Sequence, residues 1–231
     1  MSFTFDSATG GLATVGASPD TSPDASFAST ISIGDLLLVV CTPFATDSDV
    51  ISSVTDTLGN TYASAAFSPS NSLLERIRVY WCQSAFAGSN TAVVTHSNTS
   101  AVGVSQCRIA VSSGTVAVDK IYELTGTSST PSGTLTGVAA NSFIFAGSIN
   151  NGGNLTVPAT YTSIYAGTGY LYSDGAYIND SGASGDKTIT WSGTVNWTAL
   201  AVSFTTGGGG PTSVVVPAGS AQRNRRHTGR H

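Results

Sequence analysis

The chain is poor in the side chains on which most enzymes depend. Only 10% of its 231 residues are charged, and residues 1 to 205 hold one histidine, His96, and two glutamates, Glu75 and Glu123. General acid–base catalysis needs titratable groups within hydrogen-bond reach of each other, and few such pairs are available here. A serine nucleophile would need His96 as its base, yet we expect that histidine to lie on the surface at a strand end. The sequence therefore predicts a protein that is not an enzyme.

Cysteines and long apolar runs are also scarce. The three cysteines, Cys41, Cys82 and Cys107, lack the close paired spacing of zinc and redox motifs. No basic segment followed by an apolar one comes after Met1, so we expect no secretory signal, synthesis in a reducing cytosol, and free, buried thiols. The longest apolar run, Leu36 to Cys41, is far too short to span a bilayer, and we expect no membrane partner.

Small hydroxylated residues and glycine dominate what is present. The chain contains 34 Ser, 31 Thr and 26 Gly, which are indifferent or poor helix formers. Threonine, valine and isoleucine instead fit a pleated surface. No helical periodicity extends beyond two turns, and 40% apolar residues suffice for a packed interior. We therefore predict an all-β fold.

Alternating and continuous apolar segments mark the predicted strands. Leu36 to Cys41 is continuously apolar, which indicates a strand covered on both faces. In Arg76 to Trp81, alternate residues point to opposite faces, and Ala199 to Phe204 alternates between small and large side chains. About ten short strands at this spacing, without a visible internal repeat, predict a single antiparallel β-sandwich that is jelly-roll-like and has extended N- and C-terminal arms.

A hairpin is predicted between Ile51 and Phe67. Its turn would be Asp56-Thr-Leu-Gly-Asn60, because Gly59 and Asn60 tolerate positive φ angles.

The domain organisation follows composition and charge. Residues 1–24 read as an N-terminal arm or edge strand, 25–206 as the β-sandwich domain, and 207–231 as a glycine hinge followed by a basic docking arm. Residues 1 to 205 carry five bases against thirteen acids, a net charge of −8, whereas the last 26 residues carry four arginines. Four charges on one flexible arm bind nucleic acid weakly, so we expect a protein partner instead. The predicted partner-docking residues, of which the valines could add a strand to an exposed sheet edge, are Val214, Val215, Val216, Arg223, Arg225, Arg226 and Arg230.

Two further groups of residues are candidate sites. Tyr165, Tyr170, Tyr172 and Tyr177 fall in a region rich in Gly and Asn, which is typical of loops that stack on glycans. The same rings could instead pack on strand faces or against a second subunit. Loop aspartates could offer oxygen ligands to calcium, but none has EF-hand spacing, and such residues usually cap turns. These aspartates are Asp47, Asp49, Asp174, Asp180 and Asp186, and we predict no metal and no cofactor.

Five segments follow one another in a consistent order over residues 25 to 205: Gly34 to Val40, Ile51 to Tyr62, Val79 to Trp81 with Ala85 to Val94, Tyr122 to Gly126, and Trp197 to Phe204. Together they resemble a β-sandwich domain of tailed-bacteriophage virion proteins that also occurs in bacterial surface proteins. The resemblance implies a structural role without catalytic residues.

From this resemblance we expect a head decoration protein. It would bind the major capsid protein or other virion proteins as a homo-oligomer, and would be assembled into the virion in the host bacterial cytoplasm. The alternative is a carbohydrate-binding adhesin on a tail or cell surface, and a hydrolase is the third reading.

Overall fold

The described part of the chain is built from β-strands. The computed structural model describes residues 2–9, 25–27, 29–43, 51–69, 76–96, 102–150, 156–166, 172–179, 181–193 and 196–207. No helix that is long and apolar enough to cross a membrane occurs in these ranges. The strands are β1 (Phe3–Thr9), β2 (Ala25–Ser26), β3 (Leu36–Pro43), β4 (Ile51–Asp56), β5 (Ala63–Phe67), β6 (Arg78–Gln83), β7 (Thr91–His96), β8 (Val102–Val111), β9 (Val116–Gly126), β10 (Ser132–Val138), β11 (Phe143–Asn150), β12 (Thr162–Ala166), β13 (Tyr172–Ile178), β14 (Gly185–Thr190) and β15 (Trp197–Thr206).

The strands form four antiparallel layers. Two five-stranded inner sheets, in the orders β1-β8-β3-β6-β5 and β12-β13-β11-β15-β9, pack against each other. A three-stranded sheet, β2-β7-β4, covers the outer face of the first, and the pair β10-β14 covers the second. The prediction of an all-β antiparallel sandwich is confirmed.

The first eight strands follow the jelly-roll order. β1-β8-β3-β6 in one sheet faces β2-β7-β4 in the other, as expected when two Greek keys fold together. The predicted hairpin between Ile51 and Phe67 is wrong, because β4 does not pair with β5 and only an isolated bridge, between Thr55 and Thr61, joins β4 to the residues before β5. β5 then pairs with β6. The chain changes sheets there because Tyr62 packs in the outer core, whereas Ala65 and Ala66 pack in the central core.

The last seven strands repeat this topology, so the chain contains a structural repeat that the sequence does not show. The order β9-β15-β11-β13-β12 reproduces β1-β8-β3-β6-β5. Irregularities fall at equivalent places: Asp6 and Asp119 are the extra residues of β1 and β9, and Ala65 and Ile164 are those of β5 and β12. We call strands β1 to β8 the first unit and strands β9 to β15 the second unit.

Turns and side-chain pairs repeat as well. Gly34 and Asn141 occupy equivalent positions before β3 and β11, and both have positive φ angles, of 93° and 57°. The hydroxyl pair Ser26–Thr91, at 2.9 Å, corresponds to Thr134–Thr188, at 3.0 Å. The side chains at equivalent positions mostly differ, which is why no repeat is visible in the sequence.

Three apolar cores separate the four layers. Along β3, Leu36, Leu38 and Val40 face the central core between the two units, while Leu37 and Val39 face the outer core of the first unit. This confirms that Leu36 to Cys41 is covered on both faces. The alternation in β15 also holds, because the small face of this strand packs under the β10–β14 layer through Ala201.

In each unit, one amide side chain accepts a hydrogen bond from the first strand of the other unit. Gln83 Oε1 accepts a hydrogen bond from Val116 N at 3.0 Å, and the equivalent Asn179 Oδ1 accepts one from Phe5 N at 2.7 Å. The two donors are not equivalent, because Val116 corresponds to Phe3 rather than to Phe5. The two units therefore exchange hydrogen bonds in both directions but not with exact two-fold symmetry.

A candidate docking pole at the chain ends

Both ends of the described chain lie at one end of the sandwich. Ser2 N donates to Ser112 Oγ at 2.9 Å, and Ser112 N donates to Ser2 O at 3.1 Å. Gly207 N donates to Thr115 O at 3.3 Å. Residues 112–115 connect the two units, so both chain ends meet at this connection. We call this end of the sandwich, defined by Ser2, residues 112–115 and Gly207, the terminal pole.

One glutamine fixes the neighbouring loop to the connection. Gln83 Nε2 donates to Gly34 O at 3.1 Å and to Gly114 O at 2.8 Å. Its Oε1 is the acceptor for Val116 N. A single side chain therefore holds the turn before β3, the connection and the first strand of the second unit in fixed relative positions.

Two large apolar side chains are exposed at this pole. Ile33 is 71% exposed and Phe86 is 47% exposed. The segments that carry them are held together by backbone hydrogen bonds, since Ile31 N donates to Gly88 O at 2.9 Å and Gly88 N donates to Ile31 O at 3.0 Å. Counting inward from that bridge places Ile33 opposite Phe86. We call these two residues the apolar patch.

A polar cleft of about 410 Å³ opens beside these segments. Hydroxyl and amide groups line most of it, with one aromatic ring. The lining residues are Ser26, Phe27, Ser29, Thr30, Thr57, Ser89, Asn90 and Thr91. Several of these groups already bond within the protein, as Ser26 Oγ does to Thr91 Oγ1 and Asn90 Nδ2 to Asp56 Oδ2.

The carboxylate of Asp56 organises the turn next to this cleft. Its Oδ1 accepts from Leu58 N at 3.1 Å and Asn60 N at 2.9 Å. Its Oδ2 accepts from Asn60 Nδ2 at 2.9 Å, Tyr62 OH at 3.0 Å and Asn90 Nδ2 at 2.7 Å. Burial, with smaller contributions from Cys82 and Asp56, raises the pKa of Tyr62, so this hydroxyl stays a donor. Asp56 therefore has five donors and serves the turn rather than catalysis.

An ion-pair cluster supports the other side of the pole. Arg108 Nε donates to Asp35 Oδ2 at 2.6 Å, and Arg108 Nη1 donates to Asp6 Oδ2 at 3.0 Å. Because Asp6 is the extra residue of β1 and Asp35 precedes β3, the guanidinium ties the edge strand to the turn that carries Ile33.

The predicted docking residues of the C-terminal arm lie outside the described residues. So does Tyr170, and the structure describes only the backbone at Tyr165 and Tyr172, in β12 and β13. The fourth predicted glycan-stacking residue, Tyr177, has its ring 4.1 Å from that of Phe5 and 6.1 Å from that of Phe143, between centroids. Tyr177 therefore contributes to the packing between the two units.

The prediction that His96 is a surface histidine is wrong. Its exposed fraction is 1%. The physical reason is the strand period of two, which places His96 on the same inward face of β7 as Ala92 and Val94.

The prediction of free, buried thiols is confirmed. Cys41, Cys82 and Cys107 are all buried and none forms a disulfide. Burial raises the pKa of each thiol to about 12. The neutral thiol is therefore the form present at neutral pH.

The candidate metal ligands are not brought together within the described part of the chain. No group of three or more His, Cys, Asp or Glu side chains occurs there in an arrangement that could hold an ion. Asp186 accepts a hydrogen bond from Gly137 N at 2.8 Å, which is a turn-capping role. Asp47, Asp49 and Asp180 lie outside the described residues, as does the side chain of Asp174.

Sequence reasoning missed the apolar patch because the alternating isoleucines before β3 suggest burial rather than exposure. The alternation Ile31-Ser-Ile33 predicts that both isoleucines face one core, but only Ile31 is buried. The positive φ of Gly34 turns the chain at this point, so the period of two does not continue. Phe86 lies in the connection between β6 and β7, and a large aromatic residue in a connection was the one available hint.

Comparisons of the chain with protein-family models, with curated proteins and with solved structures found no match.

Proposed function

We propose that the protein is a structural component of a bacteriophage particle and that it decorates the head by binding the major capsid protein. The observation that carries this proposal is the position of the chain ends. Gly207, from which the basic arm continues, lies at the terminal pole of a body made of two tightly packed units. An arm that leaves from one pole can hold the body on a shell in a single orientation.

Charge and composition make the C-terminal arm suitable for docking. The body has a net charge of −8, whereas the arm carries four arginines and the run Val214 to Val216. An extended β-branched segment can add a strand to a sheet edge, and the arginines can bind an acidic groove. The partner in this proposal is the capsid protein or a neighbouring copy of the chain.

Cryo-electron microscopy of assembled particles tests the proposal. We expect a regular lattice of copies on the capsid shell, each with its terminal pole toward the shell. Particles that contain the protein only at the tail tip would contradict the decoration role and favour the adhesin. Particles without the protein would contradict a virion role altogether.

The second candidate function is a carbohydrate-binding adhesin. It is favoured by the position of the tyrosine-rich region, because β12 ends at Ala166 and β13 begins at Tyr172, at the pole opposite the chain ends. A body held by the terminal pole would present that opposite pole outward.

Binding of the full chain to a glycan array tests this function, and we expect binding that is lost in Tyr165→Ala, Tyr170→Ala and Tyr172→Ala variants. Absence of binding to every glycan on the array would contradict it.

A further inference from the structure

The apolar patch is not required by the turns that carry it. The second unit builds the same turns with Ala140 in place of Ile33 and Ala183 in place of Phe86. The equivalence is fixed by matching hydrogen bonds, since Ser84 N donates to Asp35 O at 2.8 Å and Ser181 N donates to Ser142 O at 2.9 Å. The turn geometry therefore does not require large side chains at these two positions, and two exposed apolar residues on paired segments are a candidate interaction site.

The patch lies close to the point where the C-terminal arm begins. Gly207 bonds to Thr115, and Gln83 bonds to both Gly114 and Gly34, the neighbour of Ile33. Together these contacts place Ile33 no more than roughly 20 Å from Gly207. The seven residues from Gly208 to Val214 can extend over about 23 Å. The arm is therefore long enough to bring its valines onto the patch of the same molecule.

We infer that Ile33 and Phe86 form the binding surface for Val214, Val215 and Val216 of the same chain. Three consecutive β-branched residues are the most apolar part of the arm. Their contact with Ile33 and Phe86 removes apolar surface of both partners from water. Because the two partners belong to one chain and the linker contains glycines, the effective concentration is in the millimolar range, which favours this contact over one with a second molecule.

Charge also favours contact between the arm and the body. Four arginines follow the valines, and the body they would approach has a net charge of −8. The long-range attraction holds the arm near the body at low ionic strength and weakens as salt is added. The contact keeps the adhesive segment of the free protein covered until it meets its partner. The contact between the valines and the apolar patch does not depend on the identity of that partner, so its test is separate from that of the proposed function.

Hydroxyl-radical footprinting of the isolated full-length protein tests this inference. We expect oxidation of Phe86 to rise roughly threefold when Val214, Val215 and Val216 are replaced by serine, because the ring loses its cover. Leu124, which is 38% exposed on β9, is the internal reference and should be oxidised equally in both proteins. Equal oxidation of Phe86 in the two proteins would overturn the inference.

A reciprocal variant and a dilution series complete the test. Ile33→Ala with Phe86→Ala gives the first unit the residues of the second, so the protein should fold normally. Elastase should then cleave the arm at the valines several times faster than in the unchanged protein, whereas unchanged cleavage would overturn the inference.

Protection of Phe86 should not change on dilution, because the contact lies within one chain. Protection that disappears on dilution would assign the arm to a second copy and overturn the contact within the chain.

Discussion

At the scale of single residues, buried polar groups determine the local structure of the first unit. Asp56 is 8% exposed and accepts hydrogen bonds from two backbone amides and three side chains. A buried charge is tolerated only when such partners compensate for its lost hydration. The residues between Asp56 and Tyr62 therefore fold as they do because one carboxylate collects their donors.

The substitution Asp56→Asn should lower the free energy of unfolding by about 2–4 kcal/mol, since an amide nitrogen would face donors in place of an oxygen. Urea denaturation measures the loss. The control is Asp186→Asn, which makes the same change at an exposed carboxylate that accepts from one backbone amide and should cost about 1 kcal/mol or less. Equal losses in the two variants would contradict the organising role of Asp56.

The thiols give a pH dependence whose sign follows from their burial. Burial raises the pKa of Cys41 and Cys107 from 9.0 to about 12. Above pH 9 the unfolded chain releases thiol protons that the folded chain keeps, so stability falls as pH rises through this range. We expect a loss of about 1 kcal/mol per thiol between pH 8 and pH 10, measured by denaturation at each pH. The Cys107→Ala variant should lose less over the same range, and an unchanged slope would contradict this origin.

At the scale of strands and sheets, the described part of the second unit has a narrower outer layer than the first unit. Two described strands form this layer against three in the first unit, and the described residues at the place of β4 form a single bridge, between Thr156 and Ser192. Tyr122 of β9 helps to cover the outer core here, and it does so because β10 offers a glycine beneath it. A Cβ atom at Gly133 would lie 2.1 Å from the Tyr122 ring.

Gly133→Ala should therefore destabilise the protein by about 1–3 kcal/mol through overpacking. Thermal unfolding measures the effect, and Thr136→Ala on the same strand, which changes an exposed side chain, is the control. Combining Gly133→Ala with Tyr122→Val should recover part of the loss, because the ring that clashes is gone. Additive losses in the double variant would show that the ring is not the cause.

At the scale of the whole molecule, two units of one topology are fused into a single body with a large shared core. The central core draws residues from both units, among them Leu38 and Val79 from the first and Phe145 and Val202 from the second. Such an interface resembles that of an obligate dimer, in which neither half is stable alone. The last strand of the described body, β15, ends at Thr206, before the C-terminal arm begins.

A chain that ends at Thr206 should therefore unfold at the same temperature as the full chain, within about 2 °C. It should also fail to co-purify with particles, because the arm supplies the docking contacts in our proposal. Circular dichroism and sedimentation with particles measure the two properties. If the shortened chain failed to fold, the arm would belong to the core, and if it bound particles as tightly as the full chain, the docking role of the arm would be wrong.

The amino-acid sequence by itself determined the fold class and the faces of the best-defined strands. The alternation in β6 and β15 and the continuous run in β3 reflect burial on one or both faces, which is a local property of each strand. Tertiary structure decided the rest, because strand pairing depends on residues that are far apart in the chain. It paired β5 with β6 instead of β4, buried His96, and placed Ile33 at the same pole as Gly207, where the C-terminal arm begins. The repeat was also visible only in three dimensions, since the two units share registers and bulges while their cores use different side chains, such as Leu36 in one and Phe143 in the other.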